Sequence, residues 1–365
     1  RFSNMGTLAD TKNMSEYALG TLNFSPWFVG LSLAAAMTSA ATFVINPGLI
    51  AAYGLSGLLS FGVFFPVASL VSLVVLTKSF RKFGTTVKAL SLANWIGSRY
   101  NSKGYALFIA LLSVLLLTFI VLILVAITKV LGPALNIKET QMLLFVVVFV
   151  FGYMMFGGAN SMVYTNTIQA VIMLFVAVML LSSGYPYLKD GLFVFFDKLA
   201  AISPELVKPT NPASPLFRDY FEIIFAQVIV GAAVVCQPHI ITKSLLLKKE
   251  SDVNKYLIAA VIIQGLFFSV VFVGFYARLT FPDLALAGKP LGIDGVIPAY
   301  VVSVFSKGWV AIGMGLIIVL GLISAGLSTI EGLIQSVSTT ITSDIVKPLF
   351  GTAIKDEKRY VLINR

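Results

Sequence analysis

The amino-acid sequence predicts an all-α polytopic membrane protein with about eight transmembrane helices, and three observations carry that expectation. Hydrophobic residues are 58% of the chain and charged residues 12%, whereas ordinary soluble domains are about 45–50% apolar and about 25% charged. The charges leave long gaps, with none between Glu16 and Lys78, Lys103 and Lys129, Glu139 and Lys189, or Lys255 and Arg278. Within and beside those gaps lie eight apolar runs, at 27–56, 57–77, 105–131, 142–161, 166–188, 220–242, 256–277 and 308–343. Each is long enough for a helix, some of them tilted, to cross a bilayer.

Taken in order, residues 1–26 are mixed and polar with no apolar signal core, and read as a cytoplasmic lead-in. The first run holds small and hydroxyl residues from Ser32 to Thr42, then a helix breaker at Asn46-Pro47-Gly48. Between the second and third runs, the connector carries Lys78, Arg81, Lys82, Lys88, Arg99 and Lys103 without an acidic residue, which places it on the cytoplasmic side. Alternation from that anchor puts 132–141 outside, a short turn near Gly157 inside, 189–219 outside as an extracellular loop, 243–255 inside and 278–307 outside. Lys243, Lys248, Lys249 and Lys255 against Glu250 and Asp252 agree with an inner 243–255 segment. The sixth run is interrupted by Gly231 and Pro238.

The interrupted first and sixth runs stand five places apart, as an inverted repeat of five plus five helices requires, and such paired interruptions point to a transporter binding site. Residues 27–188 then form a first five-helix repeat, 220–350 the first three helices of a second, and 351–365 a cytoplasmic connector. A start at Arg1 and a charged end from Arg359 to Arg365 predict a chain truncated at both ends, with further helices missing.

Composition also excludes function classes. The net charge of +10 sits in a few connectors, not on a basic face with interleaved aromatics, so it speaks for membrane orientation and against a nucleic-acid partner. One cysteine, Cys236, and one histidine, His239, leave too few groups for an intramembrane enzyme or a metal centre of the His/Cys type.

The most informative stretch runs from Ile323 to Asp344. On a helix Ala325, Ser328 and Thr329 share a face, and Ser328, Glu331, Gln335, Ser338 and Thr342 extend it as a polar stripe that must face protein or water. A sodium ion wants several hard oxygens. Ser328 and Thr329 offer hydroxyls, and an unwound first span near Ala35 and Thr38 offers carbonyls. The competing reading has both hydroxyls simply bonding carbonyls of their own helix. Glu331 stands either on the inner exit of that ion or at the cytoplasmic interface.

This stretch resembles the signature of the sodium:solute symporter family, an Ala-x-x-Ser-Thr core followed by a Ser-x-Ser-Thr run and an Asp, here Ala325, Ser328-Thr329, Ser336, Ser338-Thr339 and Asp344. EYALG at Glu16–Gly20, FGGANSMVYTNTIQ at Phe156–Gln169, and Gln237-Pro238-His239 resemble other segments of that family in order. The resemblance implies a leucine-transporter-like inverted repeat acting as a secondary active transporter, in the plasma membrane, with sodium as coupling ion and a small organic solute as cargo. It implies sodium ligands from the backbone of Ala35, Thr38 and Ala325 and the side chains of Ser328 and Thr329.

Asn166 stands where many relatives have an Asp, so a second cation site is not expected. Small aliphatics such as Val230 and Val234 replace the aromatics of proline carriers and argue against proline. The Gln-Pro-His end and the loop near Pro204 are nearer to pantothenate and monocarboxylate permeases, with Ser39, Thr42 and Gln237 as candidate solute contacts. The alternative is a transporter-like sensory module of a membrane-bound receptor. Further hydrophobic spans, or a soluble signalling region, beyond residue 365 would discriminate the two.

Overall fold

The computed structural model describes residues 14–20, 23–135, 137–306, 308–350 and 357–365. In chain order the helices that matter are α1 (Met14–Leu19), α2 (Pro26–Met37), α3 (Ala41–Tyr53) and α4 (Leu55–Thr86). They continue as α5 (Leu92–Tyr100), α6 (Lys103–Val125), α7 (Glu139–Met155), α8 (Gly157–Leu188) and α9 (Leu192–Ile202). The rest are α10 (Phe221–Val235), α11 (Pro238–Leu246), α12 (Asp252–Thr280), α13 (Ile293–Val304), α14 (Trp309–Phe350) and α15 (Glu357–Asn364).

Five of these are long and apolar enough to cross a membrane alone, and two bent pairs, α2 with α3 and α10 with α11, make two more spans with bends of 63° and 56°. The shorter apolar α7 supplies the remaining predicted run. It joins α8 across Gly158, whose φ of 52° and ψ of −143° break the helix. A Cβ there would lie 2.8 Å from the Tyr17 carbonyl oxygen. The sharp turn and the close approach therefore both require glycine.

The two interrupted spans differ in how the sequence marks their breaks. Asn46-Pro47-Gly48 does not end the first span; α3 runs through it, because the preceding residues Ala41–Ile45 form a π turn. The wider turn takes up the hydrogen bond that Pro47 cannot donate and makes room for its ring. The same device, a π stretch over Leu58–Phe64, precedes Pro66. The first break lies earlier, at Thr38, which is extended with φ −110° and ψ 103°.

In the sixth span Pro238 does mark the break: Gln237 before it is extended at ψ 135°, the conformation that a following proline favours. Gly231 stays helical. It lets α10 close on α4, since a Cβ there would meet the Phe65 carbonyl at 2.6 Å.

The connectors hold more structure than the sequence reading gave them. The lead-in contains α1, whose Tyr17 hydroxyl donates to the Met154 carbonyl at 3.1 Å. The 189–219 loop contains α9, the 278–307 loop contains α13, and the final connector contains α15, whose Tyr360 and Val361 cluster with Met14 and Tyr17. These helices have 6 to 12 residues, below the length that a membrane span needs.

Two buried clusters form the core. One runs through Phe43, Ile50, Phe267, Tyr276, Tyr300 and Ile318, the other through Leu33, Ile123, Met154, Val235, Tyr256 and Leu333. They meet along α2 and α14 near Ala35 and Ala325, at the level of the two breaks. Outward-facing positions such as Val67, Val71 and Val75 on α4 are more than half exposed, as a lipid-facing stripe is.

Candidate functional site

A helix end leaves its last carbonyls without intrahelical donors, and α2 ends inside the protein. The Ala35 carbonyl accepts from the Thr38 N–H at 3.1 Å, and the last carbonyls of the helix also face hydroxyls of α14. The Ser328 hydroxyl donates to the Ala35 carbonyl at 2.9 Å and is 3.1 Å from the carbonyl of Ala325. Thr329 Oγ1 lies 3.4 Å from the Thr38 carbonyl, 3.5 Å from that of Ala36 and 3.1 Å from that of Ala325. All five residues predicted to hold sodium are thus brought together, two of them from α14 side chains and three through backbone oxygens. Ala35, Thr38, Ala325, Ser328 and Thr329 are all buried.

Each hydroxyl reaches its own helix at Ala325 and also crosses to α2. The set is all-oxygen and neutral. Its spacings of 2.9–3.5 Å bracket the edge of roughly 3.4 Å expected for oxygens placed about 2.4 Å from a hard cation of this size.

One turn further along both helices lies a charged cluster that sequence reasoning missed. Glu331 is fully buried within the bundle. Its Oε1 accepts from the Tyr153 hydroxyl at 2.5 Å and from Gln169 Nε2 at 2.8 Å, and its Oε2 accepts from the Thr165 hydroxyl. Lys243, assigned by sequence to a solvated inner segment, is 2% exposed. It donates to the Ser32 carbonyl at 3.1 Å and to the Ser32 hydroxyl at 2.8 Å.

Asn166 stands between the two. With its amide turned to suit its neighbours, the nitrogen donates to Glu331 Oε2 and to Gln169 Oε1 at 3.0 Å each, and the oxygen accepts from Lys243 Nζ at 3.1 Å. The partners come from α2, α7, α8, α11 and α14, with Thr165, Asn166 and Gln169 together on α8. Only the polar composition of the TNTIQ run could have signalled it.

Below this layer a cleft is lined by His239, Lys243, Gly332, Gln335, Ser91 and Ala18, among others. Its wall includes Leu90 and Ser91, from the connector that the charge pattern makes cytoplasmic. His239 is buried and belongs to this wall; Cys236 is exposed. No group of three His, Cys, Asp or Glu that could hold a metal ion occurs among the described residues.

The predicted solute contacts are split between the two breaks. Ser39 is half-buried and Thr42 buried at the first, and Gln237 is half-buried at the second. No hydrogen bond joins the Gln237 side chain to either of them among the described residues. The first break has instead a partner that the sequence reading passed over, Gln264 on α12, fully buried, whose Oε1 accepts from the Thr38 hydroxyl at 3.2 Å. Its amide nitrogen has no partner among the described residues. Val230 is 51% exposed on the outer side of α10, which removes it from any argument about solute choice; Val234 packs inward.

Comparison with known proteins agrees with this architecture. The chain is 27% identical over 349 residues to the sodium/pantothenate symporter of Haemophilus influenzae, covering 95% of this chain and 69% of that protein. It is 28% identical over 356 residues to the Escherichia coli sodium/pantothenate symporter, with the same coverage. A sodium/proline symporter of Staphylococcus aureus is 26% identical over 97% of this chain and 68% of its own. The structure of a Na+-coupled sialic acid symporter in its substrate-bound outward-open state superposes with a TM-score of 0.79 at 19% identity, covering 98% of this chain and 74% of that one. That likeness speaks to the fold, the one predicted from the broken first and sixth spans. The model of the sodium:solute symporter family matches residues 17–365, and the chain belongs to that family.

Proposed function

We infer that this sodium-coupled symporter binds its ion at the oxygens of Ala35, Thr38, Ala325, Ser328 and Thr329, and carries a small organic carboxylate of the pantothenate type beside it. The observation that carries the ion site is the meeting of the carbonyls at the broken end of α2 with two adjacent hydroxyls of α14. A hard monovalent cation needs oxygens and no more than a low formal charge around it, and a broken helix supplies such carbonyls at the membrane midplane.

The solute reading rests on the relatives and on chemistry. Pantothenate carriers match 95% of the chain. At the two breaks the backbone N–H groups, Ser39, Thr42, Gln237 and the buried amide of Gln264 offer neutral donors, and the buried cation Lys243 is already engaged. An anionic carboxylate is held well by such donors at a half-helix N-terminus.

The test is uptake into liposomes by the full-length protein under an inward sodium gradient, with pantothenate, acetate, pyruvate, proline and sugars offered in turn. Sodium-dependent accumulation of pantothenate or a related carboxylate is expected. Accumulation of proline or sugars alone would refute the solute assignment, and accumulation independent of sodium would refute the coupling.

A further inference from the structure

The sodium oxygens and the charged cluster are stacked as two layers on the same pair of helices. Ser32 precedes Ala35 by three residues on α2, and Glu331 follows Ser328 by three on α14, so in each helix the second layer lies on the same face, about 4.5 Å along the axis. The chain directions put that layer on the cytoplasmic side of the first in both cases.

Its hydrogen bonds are complete. The Glu331 carboxylate accepts from Tyr153, Gln169, Thr165 and Asn166. The three N–H bonds of a Lys243 ammonium have three acceptors: the Ser32 carbonyl, the Ser32 hydroxyl and the Asn166 amide oxygen. Lys243 and Glu331 form no direct ion pair; the Asn166 amide links them, oxygen toward the cation and nitrogen toward the anion. A buried carboxylate next to a cation site is ordinarily an invitation to a second cation, because an uncompensated charge in the interior is strongly disfavoured. Here that place is filled from within the chain.

We propose that Lys243 is a tethered cation that balances Glu331 through Asn166 and thereby limits the site to one sodium ion. The inference rests on the ion site described above. It assigns Lys243 and Asn166 a role in setting ion number, and it makes the sign of each substitution specific. Removing the ammonium leaves Glu331 to recruit a sodium ion of its own. Removing the carboxylate leaves an unbalanced positive charge one helical turn from the five oxygens. Removing both restores neutrality.

Equilibrium binding of radioactive sodium to the purified full-length protein tests this without knowledge of the solute. The wild type and Lys243→Arg should bind one ion per chain, Lys243→Gln two, and Lys243→Gln with Glu331→Gln one. Glu331→Gln alone should need at least tenfold more sodium for half-saturation, and adding Lys243→Gln should reverse most of that loss. A purely structural role for Lys243 would lower stability in both single variants without these opposite effects on sodium.

A folded Lys243→Gln protein that binds one ion overturns the proposal. If that variant does not fold, the Glu331→Gln pair decides, and an unchanged half-saturation there overturns it as well. A wild-type chain that binds sodium with the Ser328 and Thr329 oxygens intact and fails only these tests leaves the ion site standing. A wild-type chain that binds none overturns both.

Discussion

Replacing both Ser328 and Thr329 by alanine separates a sodium site from a simple helix cap. The hydroxyls make one short bond between helices, Ser328 to Ala35 at 2.9 Å, and two at the outer limit of hydrogen bonding, Thr329 to Thr38 and Ala36 at 3.4 and 3.5 Å. Bonds between membrane helices average about 0.6 kcal/mol, and alanine is the best helix former. The variant should therefore lose only about 1 kcal/mol of stability and insert normally.

Sodium binding should change far more, because two of five oxygens are gone. A tenfold rise in the sodium concentration for half-maximal uptake corresponds to about 1.4 kcal/mol, and at least that is expected. Uptake by the full-length protein across a sodium series, with thermal unfolding in detergent as the folding control, reads both quantities. Ser336→Ala on the same helix, half-buried and outside the five oxygens, should change neither. A well-folded double variant with unchanged sodium dependence would mean that the hydroxyls only cap α2 and that the ion binds elsewhere.

Three more outcomes test the architecture. In a Cys236→Ala background, Lys82→Cys should react with impermeant reagents from the cytoplasmic side alone and Lys208→Cys from outside alone; both positions are exposed, and the reverse pattern would overturn the orientation and the span count together. Gly274→Ala should destabilise by about 1–3 kcal/mol through overpacking, since its Cβ would meet the Pro47 carbonyl at 2.1 Å, whereas Gly265→Ala on the same helix has open space and should be neutral or stabilising in the same melt. Tyr153→Phe removes a donor to the buried Glu331 carboxylate, and the melt should fall by about 1.5–3 kcal/mol, the worth of a hydrogen bond to a charged group.

What the sequence made legible follows its physics. Charge-free gaps report membrane spans directly, because no polar group may face lipid, so all eight runs have counterparts in the structure. Ser328 and Thr329 were legible as hydroxyls adjacent on one helical face, and Ala35 and Thr38 as backbone near an irregular first span. A local residue that marks the break was not. Asn46-Pro47-Gly48 looked like the breaker, yet a π turn absorbs Pro47 and the break falls at Thr38, where neither proline nor glycine marks it. Helix ends stabilised by tertiary contacts, here two hydroxyls some 290 residues away in sequence, leave no local signal. Lys243 was misread for a related reason. The positive-inside rule counts lysines in connectors, but it cannot see that one of them lies just after a break and turns back into the bundle toward Ser32.

The two layers bear on how an ion could be tied to opening of the inner side. The inner half of α2 is fastened to the rest of the bundle at Ala35 through Ser328 and at Ser32 through Lys243. On the proposed reading both fastenings are cationic, but only the first can leave. Sodium would draw the carbonyls of α2 and the hydroxyls of α14 onto one centre, so its departure weakens the upper fastening while the lysine keeps the lower one charge-balanced. Movement of the inner half of α2 must also carry Ser32 away from Lys243, or carry α11 with it, because an ammonium left buried without acceptors is strongly disfavoured. The cleft beside Lys243, His239 and Gln335 lies where α11 would swing. On that reading ion release and motion of the second broken span would be coupled through one side chain, and neutralising that side chain should alter the ion count before it alters the fold.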